Sequence, residues 1–249
     1  MSWIALLLVG VAVADLAHTV RPVPVVNECI GAAVAVWLGL LAGLTDPVDL
    51  VALLVIAAVT VAWGQSVTRA FAGGRAWVPL TVLGVALVVG VLTSGVPSPS
   101  GGVVGDWLDD VGLPVLQGLS ADRALLLLGA FLVQLSTGNV LVRLVLAVTD
   151  TVNPAEHDTI DDPEQQLKGG RLLGPMERAF ILGLGLAGQW TAASVVVAAK
   201  GLLRWPELRS RQDQGRIHRL TEYFLVGSFV SWLVALAALL LLAHPQVGR

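Results

Sequence analysis

The sequence predicts an all-α, polytopic membrane helix bundle, and three observations carry that prediction. Apolar residues gather into runs of about 20, the length at which a helix crosses a hydrocarbon core of about 30 Å. Charged residues make up 13% of the chain and hydrophobic ones 55%, with a mean hydropathy of +0.80. A soluble domain carries roughly 25% charged residues because its surface faces water. The runs show no period-2 alternation, which excludes a membrane barrel. Backbone groups in lipid must then be paired within helices.

About six segments read as spanning helices: Trp3–Val20, Ile30–Leu44, Leu50–Gln65, Trp77–Val96, Ala124–Val148 and Tyr223–Ala243. The first contains Ala12-Val-Ala14, which resembles a signal-peptidase site, but no Lys or Arg precedes it. Without that basic region the segment reads as a retained helix. Trp3, Trp63, Trp77 and Trp205 stand near helix ends, where amphipathic rings favour the headgroup layer. Pro22, Pro24, Pro47, Pro97, Pro99 and Pro245 fall between or after the runs, as helix breakers do.

These segments divide into an N-terminal four-helix membrane segment (1–96), an extracytoplasmic Pro/Gly/acidic loop (97–123) and a C-terminal membrane module (124–243). The loop carries Asp106-Trp-Leu-Asp-Asp110, a short helix lying on the membrane surface. Within the module the polar stretch 149–168 holds Asp150, Glu156, Asp158, Asp161, Asp162 and Glu164. Their spacing does not match a calcium loop, and a solvated linker accounts for them.

Ala179–Ala199 admits two readings. As a single helix its rise of about 31 Å would span; as two arms, each rising about 13.5 Å, it would form a re-entrant hairpin turning at Gly188-Gln-Trp-Thr191. Gly183, Gly185 and Gly188 each cost a helix interior roughly 1 kcal/mol. Charge separates the readings. With a full span, giving seven crossings, the 15 Lys and Arg divide seven against eight, against the positive-inside rule. With a dip and return, and the N-terminus outside, thirteen become cytoplasmic and only Arg123 and Arg249 stay out. The favoured architecture is therefore six spans plus a re-entrant hairpin at 179–199, with seven full spans as the alternative. Both termini are then extracytoplasmic. Such a turn must be buried in protein or line a watery cavity.

The C-terminal half carries Asn139-Val-Leu-Val-Arg143, Gly169-Gly-Arg-Leu-Leu-Gly-Pro-Met-Glu-Arg178, Gly188-Gln189, Ala198-Ala-Lys200, Arg204 and Glu222-Tyr-Phe-Leu-Val-Gly227. In that order the motifs resemble the bacterial membrane proteins grouped as domain of unknown function 3307, over about residues 124–243. The resemblance implies a membrane module of the bacterial cytoplasmic membrane and names no reaction, substrate or partner.

Ionisable residues in or beside the apolar runs are the first candidates for function, because burying a charge costs several kcal/mol unless it is paired. One candidate cluster comprises Arg143, Glu177, Arg178, Gln189, Lys200, Glu222 and Tyr223. In the hairpin reading Glu177, Arg178 and Lys200 share the cytoplasmic level, and Glu177 or Glu222 would accept from Arg143. The cluster is then either a charged mouth leading toward Gln189 or a set of ion pairs that only pins the hairpin. Asp15 and His18, three apart, share a face of the first helix. With Glu28 they could relay protons or hold a metal; equally, both could simply reach interfacial water.

A basic loop (200–219) carries Lys200, Arg204, Arg209, Arg211, Arg216 and Arg219 against Glu207 and Asp213. It suits anionic lipid headgroups or an acidic cytosolic protein partner, although positive-inside bias alone would produce it. Gly183-Leu-Gly-Leu-Ala-Gly188 matches a dinucleotide fingerprint, but no strand precedes it. Those small residues, and Gly227-x-x-x-Ser231, suit close helix packing.

A net charge of −3 gives no nucleic-acid signal. Cys29 is the only cysteine and the four histidines form no H-x-x-x-H pair, so no disulfide framework, metal site or cofactor is expected. No nucleophile–base pair or phosphate loop marks an enzyme. The functional expectations are a small-solute or ion conduit lined by the hairpin, then a membrane anchor or signalling component, then a lipid-modifying enzyme. Beyond the lipid bilayer, a homo-oligomer is compatible with each.

Overall fold

A computed structural model describes the backbone of residues 1–114, 116, 118–149, 170–209 and 214–243. Side chains are described for the same residues except 170–172, 200, 201, 203–209 and 214–222. Among the described residues there are ten helices and no strand. These are α1 (Ser2–Val20), α2 (Val26–Leu41), α3 (Pro47–Phe71), α4 (Trp77–Leu92), α5 (Gly102–Asp110), α6 (Ala121–Leu135), α7 (Thr137–Val148), α8 (Gly170–Leu186), α9 (Trp190–Arg209) and α10 (Gln214–Ala243). Among the described residues three stretches, α1, α3 and Tyr223–Ala243 of α10, are long and apolar enough to cross a membrane, or four if the bent pair α6–α7 counts as one. The chain forms two compact units: residues 1–70 with 78–137, and 71–77 with 138–249.

In the first unit α1 is the centre. Twelve of its residues are buried, and it is apolar all round, as a helix enclosed by others must be. α2 runs antiparallel to it, with Gly31 against Gly10 and Ala14 and Gly39 against Leu6. A Cβ at Gly31 would strike the Gly10 carbonyl oxygen, so the small residues permit the close approach. α3 runs parallel to α1, since Trp3 donates to Asp49 at one end and Trp63 to Asp15 toward the other. α6 is parallel too: Gly129 sits on Ala5 and Leu8, and Ser136 bonds Ala12. α4 is antiparallel, with Gly90 on Ile4 and the Met1 ammonium 3.3 Å from the Ser94 carbonyl. At that same end Ser98 donates to Asp46 and Ser100 to Asp122, both at 2.7 Å. The outward residues of α3 and α4 are large and apolar, Leu54, Val85 and Leu92 being 69%, 63% and 79% exposed. Faces of that kind suit lipid rather than water.

Three boundaries differ from the sequence reading. α3 is longer than Leu50–Gln65 because Pro47 fits the first helical position and nothing breaks the chain before Gly73. α6 packs along α1, so the first unit closes at Thr137, well beyond the 97–123 loop. The expected single helix Ala124–Val148 is broken at Ser136, where α6 and α7 bend by 51°. The Ser136 hydroxyl bonds back to Leu132 O at 3.4 Å, a local contact that bends helices, and also donates to the Ala12 carbonyl at 2.8 Å.

In the second unit α8 and α10 run parallel at a fixed offset. Arg178 pairs with Ser231 and Glu177 with Trp232, 53 and 55 residues apart, and Gly185 packs on Leu239 in the same register. α7 runs the other way: Gly138 and Asn139 meet Arg178, while Val142 and Leu146 lie against Gly227. α8 ends in a Schellman motif. Gly188 has φ +71°; its N–H bonds Gly185 O at 3.1 Å and the Gln189 N–H bonds Leu184 O at 2.8 Å. Ala179–Ala199 is therefore two helices, broken at 187–189. The expectation that the turn is packed inside the bundle is corrected, because Gly188, Gln189, Trp190 and Thr191 are all exposed. The basic 200–219 segment is helical through Arg209 and again from Gln214, since Lys, Arg, Leu, Glu and Gln are good helix formers.

Candidate functional site

Each unit holds a buried polar centre, and the two are built differently. In the first unit Asp15 stands on α1 about 7.5 Å of rise short of Val20 and is only 7% exposed. Its carboxylate accepts from the Trp63 indole at 3.1 and 3.2 Å and from the Thr137 hydroxyl at 2.7 Å. Glu28, on α2, is 3% exposed and packs its stem on Gly64. Gln65 lies 3.4 Å from Glu28 Oε1, and Oε2 is buried with no hydrogen-bond partner. Trp63, Gly64 and Gln65 thus touch both carboxyl groups from three consecutive positions of α3.

His18 does not join them. It is exposed, and its Nδ1 lies 3.4 Å from Asn27, because the ring leaves the core where α1 ends. Of the expected trio Asp15, His18 and Glu28, the two carboxyl groups are buried and His18 is not among them; Asp15 is enclosed rather than open to interfacial water. Among the described residues no group of three or more His, Cys, Asp or Glu could hold a metal ion.

In the second unit Arg178 is 1% exposed. Its guanidinium donates to Asn139 Oδ1 at 2.8 Å and to Ser231 Oγ at 3.1 Å. It lies flat against Gly138, where any Cβ would collide with it. Glu177, 6% exposed, accepts from the Trp232 indole at 2.8 Å. Burying an arginine is tolerable only with such satisfied donors.

The expected cluster is thus partly assembled. Arg178 and Glu177 are buried on α8 facing α10. Arg143 instead places its guanidinium 4.8 Å from the centre of the Phe71 ring, a cation–π contact worth roughly 0.5–2 kcal/mol. Gln189 is exposed at the turn, away from Arg178, and Tyr223 is half-buried at the start of the apolar part of α10. The side chains of Lys200, Arg204, Arg209, Arg216, Arg219 and Glu222, and the whole of Arg211 and the 150–169 linker, lie outside the described residues.

Asn139, Ser231 and Trp232 went unrecognised as the partners of the charged pair. A signal existed, because a buried arginine requires acceptors and Asn139 and Ser231 are neutral acceptors within apolar helices. Thr137 and Trp63 were missed for Asp15 in the same way.

Fold and centres together define an all-helical protein with apolar outer faces and ionisable groups enclosed in each of its two units. No protein-family model, curated protein or solved structure matches the chain, so the resemblance drawn from motif order rests on those motifs alone.

Proposed function

We propose that the protein is a polytopic membrane conduit for a small ion or solute, working at the buried carboxyl groups of the first unit rather than at the α8–α9 turn. The observation that carries this reading is Asp15, 7% exposed within the apolar helix α1, its carboxylate held by Trp63 and Thr137. Ionisable side chains enclosed within membrane-spanning segments are costly and mark ion and proton pathways.

The register of α8 on α10 supports a topology different from a re-entrant dip. If Tyr223–Ala243 crosses, then Gly170 stands level with its near end and the Gly188 turn with its far end. α8 and α9 then cross out and back. Arg178 lies level with Ser231, about 12 Å from Tyr223 along the axis, rather than at a cytoplasmic mouth. Sidedness is unchanged by this substitution. Of the thirteen Lys and Arg assigned to the cytoplasm, Arg178 and Lys200 now fall within the crossing helices and the other eleven stay cytoplasmic, and both chain ends face out.

Reconstitution into liposomes with imposed gradients of protons and monovalent cations tests the conduit. Flux above empty liposomes is expected, falling at least tenfold in Asp15→Asn. Wild-type flux equal to the empty control, or an unimpaired Asp15→Asn, removes the reading.

One observation favours a second reading, a membrane anchor for an acidic cytosolic protein. α9 and α10 continue as helices past their apolar parts, Trp190–Ala199 and Tyr223–Ala243. Residues 214–222 alone rise about 13.5 Å, beyond a headgroup layer of about 5–8 Å. Reversing Arg209, Arg216 and Arg219 to Glu would release a co-purifying cytosolic protein; purification without any such protein removes this reading.

A further inference from the structure

The strongest feature not yet given a task is the pair of buried carboxyl groups in the first unit. Asp15 and Glu28 lie on neighbouring antiparallel helices and share the three-residue platform of Trp63, Gly64 and Gln65. Glu28 is within electrostatic reach of Asp15. The donors at the pair are an indole, a hydroxyl and a side-chain amide, all neutral. The other charged or titratable groups near this end of the unit are His18 and Arg21 after the core of α1, Cys29 on α2 and Arg69 on α3, all exposed. Asp49, Asp122 and Arg123 stand at the opposite end of the unit. No buried cation therefore offsets two carboxylates within it among the described residues.

Asp15 accepts three hydrogen-bond contacts, which serve one negative charge well. Glu28 Oε2 has none and is sealed from solvent. A second full charge there would be expensive, because several kcal/mol attend each buried ion left without a partner. Two carboxyl groups sharing such a site keep one proton between them, and the proton belongs to the pair rather than to either residue.

We propose that Asp15 and Glu28 form a proton-binding carboxyl pair that holds one exchangeable proton inside the helix bundle. Its purpose rests on the conduit reading, for which it names the proton as the transported or coupling ion; its chemistry does not. The proton comes from water, bonds to a carboxyl oxygen of the pair and returns to water when the pair releases it. No other bond is made or broken.

Two measurements on the full-length protein in detergent test it. The hydrophobic reagent dicyclohexylcarbodiimide converts a protonated carboxyl into a stable N-acylurea, located by mass spectrometry of the peptides. Labelling at Glu28 or Asp15 is expected, falling about tenfold per pH unit once the pair has lost half its proton. It should be unchanged when sodium replaces choline at fixed pH. Infrared difference spectra over the same pH range should show one protonated-carboxyl band, lost in both Glu28→Gln and Asp15→Asn. That band is read on the wild type and needs neither reagent access nor a folded variant.

Protection by sodium would assign the site to a metal cation and overturn the proposal. A wild-type protein with no protonated-carboxyl band would overturn it as well, and so would a band that persists in both variants. A band with no flux in liposomes would remove the conduit and leave the proton pair standing. Flux without the band would do the reverse.

Discussion

At the scale of single residues, the stability of the second unit turns on what surrounds Arg178. Arg178→Ala removes the charge that Asn139 and Ser231 serve and leaves Glu177 beside an emptied site. The expected loss is about 3–5 kcal/mol, read as a lower melting temperature in detergent. Trp232→Phe deletes one bond to a charged acceptor and should cost about 1.5–3 kcal/mol. Gly138→Ala pushes a methyl group into the guanidinium, and overpacking of this kind costs about 1–3 kcal/mol. If Arg178→Ala and Trp232→Phe both melt as the wild type does, the centre contributes nothing to the fold. This level of detail was the least legible in the sequence. Glu177 and Arg178 stand out as charges in an apolar stretch, whereas Asn139, Ser231 and Trp232 are unremarked neutral residues until a buried cation and a buried carboxylate are known to face them.

At the scale of elements, the two breaks in apolar segments have different causes and different visibility. The α8–α9 break is local. Gly188 sits at φ +71° in a cap whose bonds span only three and five residues, and the glycine cluster announced it. Gly188→Ala should destabilise by about 1–2 kcal/mol, the cost of a Cβ in the left-handed region. Gly183→Ala, where a Cβ meets nothing within 4 Å, should instead stabilise by about 0.5–1 kcal/mol. Denaturation of the two variants in parallel checks the contrast, and equal shifts would remove the cap argument. The α6–α7 break combines local and tertiary bonds. The Ser136 hydroxyl reaches back to Leu132 O at 3.4 Å, a contact that bends helices. Ser136 and Thr137 also bond a carbonyl and a carboxylate 124 and 122 residues away, partners that the segment itself does not reveal. Ser136→Ala is expected to lower stability by about 0.5–1.5 kcal/mol, the net worth of the lost bond.

For the whole molecule, hydropathy was sufficient for the helical class. Charge bias proposes a sidedness and is insufficient for depth. A hairpin that dips and one that crosses twice return the chain to the same side, so counting Lys and Arg could not tell them apart. The register of α8 against α10 favours the double crossing if Tyr223–Ala243 spans. Single cysteines at positions 171, 190 and 209 in a Cys29→Ser background test that proposal. With an impermeant thiol reagent on intact cells, position 190 should react from outside while 171 and 209 stay shielded until the cells are opened. Shielding of all three restores the re-entrant dip. Reaction at 171 and 209 but not 190 inverts the topology.

The central place of α1 also bears on how the protein is made. α1 leaves the ribosome before the other nine described helices, so the groups that satisfy it are synthesised long afterwards. Asp15 must wait 48 residues for Trp63, and the Ala12 carbonyl 124 residues for Ser136. At about 5–20 residues per second the longer interval lasts about 6–25 s. If α1 spans as proposed, a carboxyl-bearing helix then lies in the membrane without its final neighbours throughout that interval. Chains halted after α3 should therefore hold α1 and α3 already paired through Asp15 and Trp63, while chains halted before α3 should leave α1 extractable from the bilayer or bound to the insertion machinery.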